Sequence, residues 1–173
     1  METETMQYYF LENRGILARG RNFRFEIYDF IKRVWVEDSE HIVSDALMGY
    51  DPSEPEGSPY GIGNTSIMAE VKSVSREDAM CLIGKQEVRN LIETWKRELP
   101  EKKKEWDKKP GWPAKHVTTE FNLHGNRFVI LPEDLIERPD SYDEGFIESV
   151  QKDLEKDLKA IGACEITHTG NLD

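Results

Sequence analysis

His116-Val-Thr118 is the pair of residues in this chain whose types and spacing are most suggestive of chemistry. An imidazole titrates near neutral pH and can give or take a proton, and a hydroxyl can donate to an oxygen of a reacting group. Side chains alternate along a strand, so a strand through Lys115–Leu123 puts His116, Thr118, Glu120 and Asn122 on one face and Val117, Thr119, Phe121 and Leu123 on the other. The spacing therefore brings one imidazole beside one hydroxyl.

This arrangement resembles one half of the His-x-Thr signature of the 2H phosphoesterase family. The resemblance implies two such motifs facing each other. Two imidazoles then act as base and acid on a phosphodiester, and the hydroxyls bind its oxygens. The resemblance covers three residues, and the chain departs from the pattern elsewhere. His168 lies in Thr167-His168-Thr169, with hydroxyls adjacent to it, and His41 is followed by Ser44 on an expected helix. An enzyme reading would rest on His116 and Thr118, with His168 as an unconventional second member. A polar strand face toward solvent is the simpler expectation, so the chain is read as a non-enzyme with no catalytic set.

Other chemistries are thinly supported. His116, His124 and His168 with Glu120 and Glu165 could meet if the last strand pairs with the hairpin, but no spacing demands a metal. Cys81 and Cys164 form no CxxC motif, have apolar neighbours in sequence and are expected to be buried, reduced thiols. No dinucleotide or P-loop fingerprint occurs, and Asp51, Glu54 and Glu56 lack the spacing of a calcium loop, so no cofactor or metal is expected.

Charge is more informative. The 173 residues carry a formal net charge of −11, and Glu37 to Glu70 holds eight acids with no Lys or Arg. Such a surface argues against nucleic acid as the primary ligand and suits a basic protein. The stretch Trp95–Lys115 has eight Lys or Arg and three Trp, but four acids lie among them, and a solvated connector is the better expectation. The N-terminus lacks a basic start followed by an apolar run, and no apolar run reaches membrane length. A cytoplasmic protein without a membrane segment is expected.

The elements that would hold these residues are α+β: an N-terminal antiparallel β-meander with short helices, then a β-hairpin–helix–strand unit. Gln7–Leu11, Gly15–Arg19, Asn22–Phe30 and Arg33–Glu37 read as strands, with Phe23, Phe25 and Ile27 on one side of the third and Arg24, Glu26 and Tyr28 on the other. Asp38 or Ser39 can cap a short helix that ends at Gly49, and Ser66–Val74 reads as a strand. Ser75-x-x-Asp78 resembles a capping box for a helix ended by Gly84, and a second helix spans Gln86–Leu99, bounded by Pro100. Further on come a hairpin turning at His124-Gly125, a capping box at Ser141-x-x-Glu144, a helix ended by Gly162 and a final strand. Three segments are expected: residues 1–84, a lobe with an acidic Pro/Gly loop; 85–112, a helix and basic connector; and 113–173, a ββαβ lobe.

Between the meander and its returning strand lies Tyr50–Asn64, with three prolines and three glycines. It is too punctuated for helix or strand and longer than an ordinary connection. Tyr50, Asp51, Glu54, Glu56 and Tyr60 are its candidate partner-binding residues, since tyrosine beside carboxylate is a face for a basic protein. The expected function is a small acidic protein-binding protein, an inhibitor or immunity-type protein that neutralises a basic, nuclease or nucleic-acid-binding partner. A structural or regulatory subunit is the remaining alternative.

Overall fold

The computed structural model describes residues 5–106, 117–135 and 144–170. Two compact units divide the chain, residues 1–83 and 84–173. The class is α+β, with an N-terminal antiparallel meander, as the strand pattern implies.

The first unit is built on a five-stranded sheet. Its strands are β1 (Gln7–Leu11), β2 (Ile16–Arg21), β3 (Arg24–Asp29), β4 (Val34–Glu37) and β5 (Val71–Val74), in the order β4-β3-β2-β1-β5. All pairings are antiparallel. Aromatic and β-branched residues fit this pleated surface. One face buries Tyr8, Leu17 and Tyr28 with Ala79 and Ile83. Trp35 meets Tyr28 and Tyr8 edge-on, at 5.1 and 6.1 Å between ring centres. Arg19 lies 4.5 Å over the Trp35 ring and donates to Glu26 at 2.5 Å, so its charge is compensated twice.

The alternation expected along β3 is present, but Phe23 does not share it. Asn22 and Phe23 form a two-residue turn between β2 and β3, with φ of 55° and 58°, and Phe23 is 96% exposed. A right-twisted hairpin favours left-handed turn residues. Asn adopts that region easily; a bulky residue pays roughly 1–2 kcal/mol for it. The aromatic core instead forms around Tyr28, on the face that the charged residues Arg24 and Glu26 had marked as polar.

Helix α1 (Ile42–Met48) starts where the Asp38 carboxylate accepts from the Ile42 and Val43 N–H groups, at 2.9 and 2.8 Å. These are two of the four donors that a helix start leaves unpaired. Ser66–Met68, read as strand, belongs to the single-turn helix α2 (Thr65–Met68). The Asn64 side chain accepts from the Ser66 and Ile67 N–H groups at 3.0 and 3.4 Å, and this local cap outweighs the β-preference of the sequence. Only Val71–Val74 joins the sheet.

Helix α3 (Arg76–Trp106) begins with Asp78 N–H donating to Ser75 Oγ at 2.9 Å. The two helices expected between Ser75 and Pro100 are one. Gly84 does not end it. A Cβ there would lie 2.7 Å from the Phe128 ring, so Gly84 is a close-packing glycine rather than a stop. Pro100 lies inside the helix, which continues for six residues beyond it.

The second unit packs α3 and α5 (Glu144–Ala160) on a sheet of order β7-β6-β8, formed by β6 (Val117–Leu123), β7 (Asn126–Ile130) and β8 (Cys164–Gly170). A single-turn helix, α4 (Pro132–Leu135), was not foreseen. Trp95, Phe121, Leu123, Ile130, Leu154 and Leu158 are buried together. The buried Trp95 indole donates to Asp157 at 2.8 Å, which satisfies its N–H. His124 and Gly125 turn the hairpin with φ of 51° and 77°. Gly162, at φ 91°, follows α5 as expected. Ser141 of the expected capping box lies outside the described residues. Cys164 is exposed and Cys81 half-buried, so the expectation of two buried thiols fails; a bulge near Glu165 (φ 51°) breaks the alternation of β8 and pairs Cys164 with Asn122, on the face away from buried Phe121 and Leu123.

The Gly84 contact makes a signed prediction. Alanine improves helix propensity by about 1 kcal/mol, whereas forcing a methyl into a packed ring costs about 1–3 kcal/mol. Gly84→Ala should therefore lower the melting temperature, and adding Phe128→Leu should recover part of the loss. A stabilising Gly84→Ala would show that the ring moves aside freely.

Candidate functional site

The segment following α1 is a closed loop whose two ends are tied together. Gly63 N–H donates to the Met48 carbonyl at 2.9 Å and Asn64 N–H to the Gly49 carbonyl at 3.0 Å. Gly49 permits this pinch. Its φ is 65°, and a Cβ there would lie 2.6 Å from the Asn64 nitrogen. Asp51 N–H reaches the Gly61 carbonyl at 3.0 Å and closes the loop across its middle.

The Asp51 carboxylate holds the interior. One oxygen accepts from the Ser53 N–H at 2.9 Å and the Ser53 hydroxyl at 2.6 Å; the other accepts from the Asn64 amide at 2.9 Å. The Ser53 hydroxyl, then its N–H, then Asn64 hold the Asp51 carboxyl below the ordinary 3.8. Glu54 accepts from the Ser58 hydroxyl at 2.9 Å, and that same hydroxyl accepts from the Tyr60 N–H at 3.2 Å. Asp51, Glu54, Tyr60 and Asn64 line a shallow cavity of about 290 Å³.

The five sequence-selected residues therefore share one loop but differ in availability. Tyr50, Glu56 and Tyr60 are exposed, Tyr60 at 76%. Glu54 is half-buried and engaged through one oxygen. Asp51 is committed to the loop's own frame and serves as its staple. Two residues were missed. Ile62, 60% exposed, adds an apolar contact surface. Asn64 caps α2 with its oxygen and holds Asp51 with its nitrogen; Asn directly before Thr-Ser was a readable cap signal.

No protein-family model matches the sequence, no curated protein is significantly similar to it, and no solved structure matches its fold. The reading of the site rests on geometry and electrostatics.

The second candidate centre is the β6–β8 pair. Thr118 pairs with Thr169 and Thr119 with His168, so His168 shares a face with Thr119 and not with Thr118. His168 Nδ1 is 3.0 Å from Thr119 Oγ1, and its Nε2 is 3.8 Å from Glu155. A hydroxyl, an imidazole and a carboxylate in line suggest a nucleophile, but Thr119 is buried at 2% exposure, out of reach of substrate. The pairing of His168 with Thr118 as two members of one site is not formed. His116 lies outside the described residues.

His124 is more than a turn residue. Its Nε2 lies 2.7 Å from a carboxylate oxygen of the buried Glu87 of α3, which ties the hairpin turn to that helix. Among the described residues no three His, Cys, Asp or Glu side chains form a metal-binding group, and no helix is long and apolar enough to cross a membrane.

Two predictions follow from these geometries. Asp51, depressed when folded, contributes loop stability above its unfolded value near 3.8, and this is lost as pH falls through the lower folded value. The Ser53 amide resonance should shift with a midpoint below 3.8, and Asp51→Asn should remove that transition. His124→Asn should keep the turn yet destabilise the second unit by about 1–3 kcal/mol, because it leaves the Glu87 carboxylate with one partner fewer. Denaturant titration of that variant reads the difference.

Proposed function

We propose that this is a small acidic protein-binding protein whose loop 49–64 receives a basic protein partner. One observation carries the reading: the loop is braced from inside by Asp51 while Tyr50, Tyr60, Ile62 and Glu56 are left exposed. A segment that is already ordered loses little conformational freedom on binding, so its contacts convert into affinity more fully. Exposed tyrosines supply wide contact area with few rotatable bonds, and the acid-only stretch Glu37–Glu70 gives a field that accelerates approach of a cation-rich surface.

The finer reading is an inhibitor or immunity-type protein that occupies the basic face of a nuclease or another nucleic-acid-binding protein. A loop of carboxylates held at fixed spacing competes with phosphates for the same Lys and Arg side chains. A chain carrying −11 is suited to such a role, because long-range attraction grows with the charge of both partners. The enzyme alternative is weaker, because Thr118 and His168 belong to opposite faces.

Affinity capture with the tagged chain from its source lysate, at low and at high ionic strength, tests this. A single basic partner should be retained at low salt and released at high salt. Tyr60→Ala should weaken that partner's affinity by about tenfold or more, in the range of an interface anchor. Glu54→Lys with Glu56→Lys should slow its association. A partner bound equally by all these variants would show that the loop is not the contact surface.

A further inference from the structure

The five-stranded sheet ends on one side at β4, within the run Lys32-Arg33-Val34-Trp35-Val36-Glu37-Asp38. Cations precede an apolar centre and acids follow it, so the charges reverse sign about Trp35. Asp38 N–H donates to the Phe25 carbonyl at 3.0 Å, and hydrogen-bonded pairs alternate along an antiparallel ladder. Val36 therefore bonds to Ile27 of β3, while Trp35, opposite Tyr28, turns its N–H and C=O to the open edge.

An open edge is a template for another strand. The opposite edge, β5, shows Lys72 and Ser73 to solvent, and Lys72 is held by Glu12. The edge at β4 instead exposes Val34 at 46% and Val36 at 36%. Glu37 stands opposite Glu26, whose carboxylate is engaged by Arg19, and like charges at paired positions repel. Among the described residues no cation is within ion-pair distance of Glu37. A cation brought to that end of β4 would relieve the repulsion.

We propose that β4 pairs antiparallel with β4 of a second copy of this chain, on a two-fold axis through Trp35, and joins the two sheets into one. In that register Trp35 lies opposite Trp35, and the two exchange both main-chain hydrogen bonds. Val34 lies opposite Val36 and Arg33 opposite Glu37, each pair occurring twice by symmetry. The valines, on the face away from Trp35, form the close pairs without main-chain bonds. Arg33, at φ 60°, closes the turn before β4 and meets Glu37 from the strand's end. Asp38 takes no part, because it caps α1. Parallel pairing would set Arg33 on Arg33 and Glu37 on Glu37, so the charge order selects the antiparallel dimer. The edge is only four residues long, and two chains of −11 repel at a distance, which places the dimer in the weak class. It does not depend on loop 49–64 or on a basic partner.

Sedimentation equilibrium on the full chain, from micromolar to millimolar concentration, tests it on the wild type, Arg33→Glu, Glu37→Arg and the double variant. The wild type should show a reversible monomer–dimer equilibrium. Each single change makes both ends of β4 alike and should weaken dimerisation by about tenfold or more, since two facing pairs turn repulsive. The double variant restores opposite ends and should dimerise again. An equimolar mixture of the two single variants should form a mixed dimer, because one brings two acids and the other two cations to the contact. A change that acted only on folding could not produce that rescue. A wild type that stays monomeric at millimolar concentration would leave the edge to a strand of another protein and overturns the proposal. Dimerisation unchanged in both single variants, or no recovery in the mixture and the double variant, overturns it equally.

Discussion

A carboxylate that accepts three hydrogen bonds from its own loop has largely settled what it can do for anything else. Asp51 is in that position, and the character of the acidic segment follows from it. The segment has too few apolar side chains to pack itself and too many prolines to pair as strand. Without an internal acceptor, its turns would leave N–H groups and hydroxyls to water. The Asp51 staple and the Gly49 pinch replace a core with a few polar contacts. What remains outside this frame is exposed to solvent and includes Tyr50, Glu56, Tyr60 and Ile62.

The same unit shows how differently two charged groups of one sign can be treated. Arg19 rests on Trp35 and donates to Glu26, so its charge is absorbed by the sheet. Arg21, two residues on and on the same strand face, faces Arg24. Both pairs come from cross-strand register alone, which is fixed by the two-residue turn at Asn22-Phe23. Shifting that turn by one residue would move every side chain of β3 to the other face and would bring Tyr28 out of the aromatic cluster. The strained turn and the aromatic core are therefore consequences of one register.

Much of the architecture was legible in the sequence, because hydrophobic alternation and turn residues are local signals. The four meander strands, the His124-Gly125 hairpin, the Ser75 cap and the Gly162 stop all belong to that kind. The errors share a different origin. Gly84 reads as a terminator until Phe128, far along the chain, is seen to need the space. Ser66–Met68 reads as strand until Asn64 is seen to cap it. Cys164 reads as buried until the pairing of β8 with β6 fixes its orientation. The loop's residues could be chosen from composition, but the division between Asp51 as frame and Tyr60 as surface depends on Ser53 and Asn64 closing around one carboxylate.

The partition of charge within the first unit has a consequence for specificity. A basic protein approaching the acidic loop is drawn by the field of the whole chain, which acts over about a Debye length of 8–10 Å at physiological salt. Salt should therefore weaken that association. The register sets Arg19 against Glu26 and Arg21 against Arg24, so the placement of each charge, and not the total of −11 alone, sets the field that a partner meets.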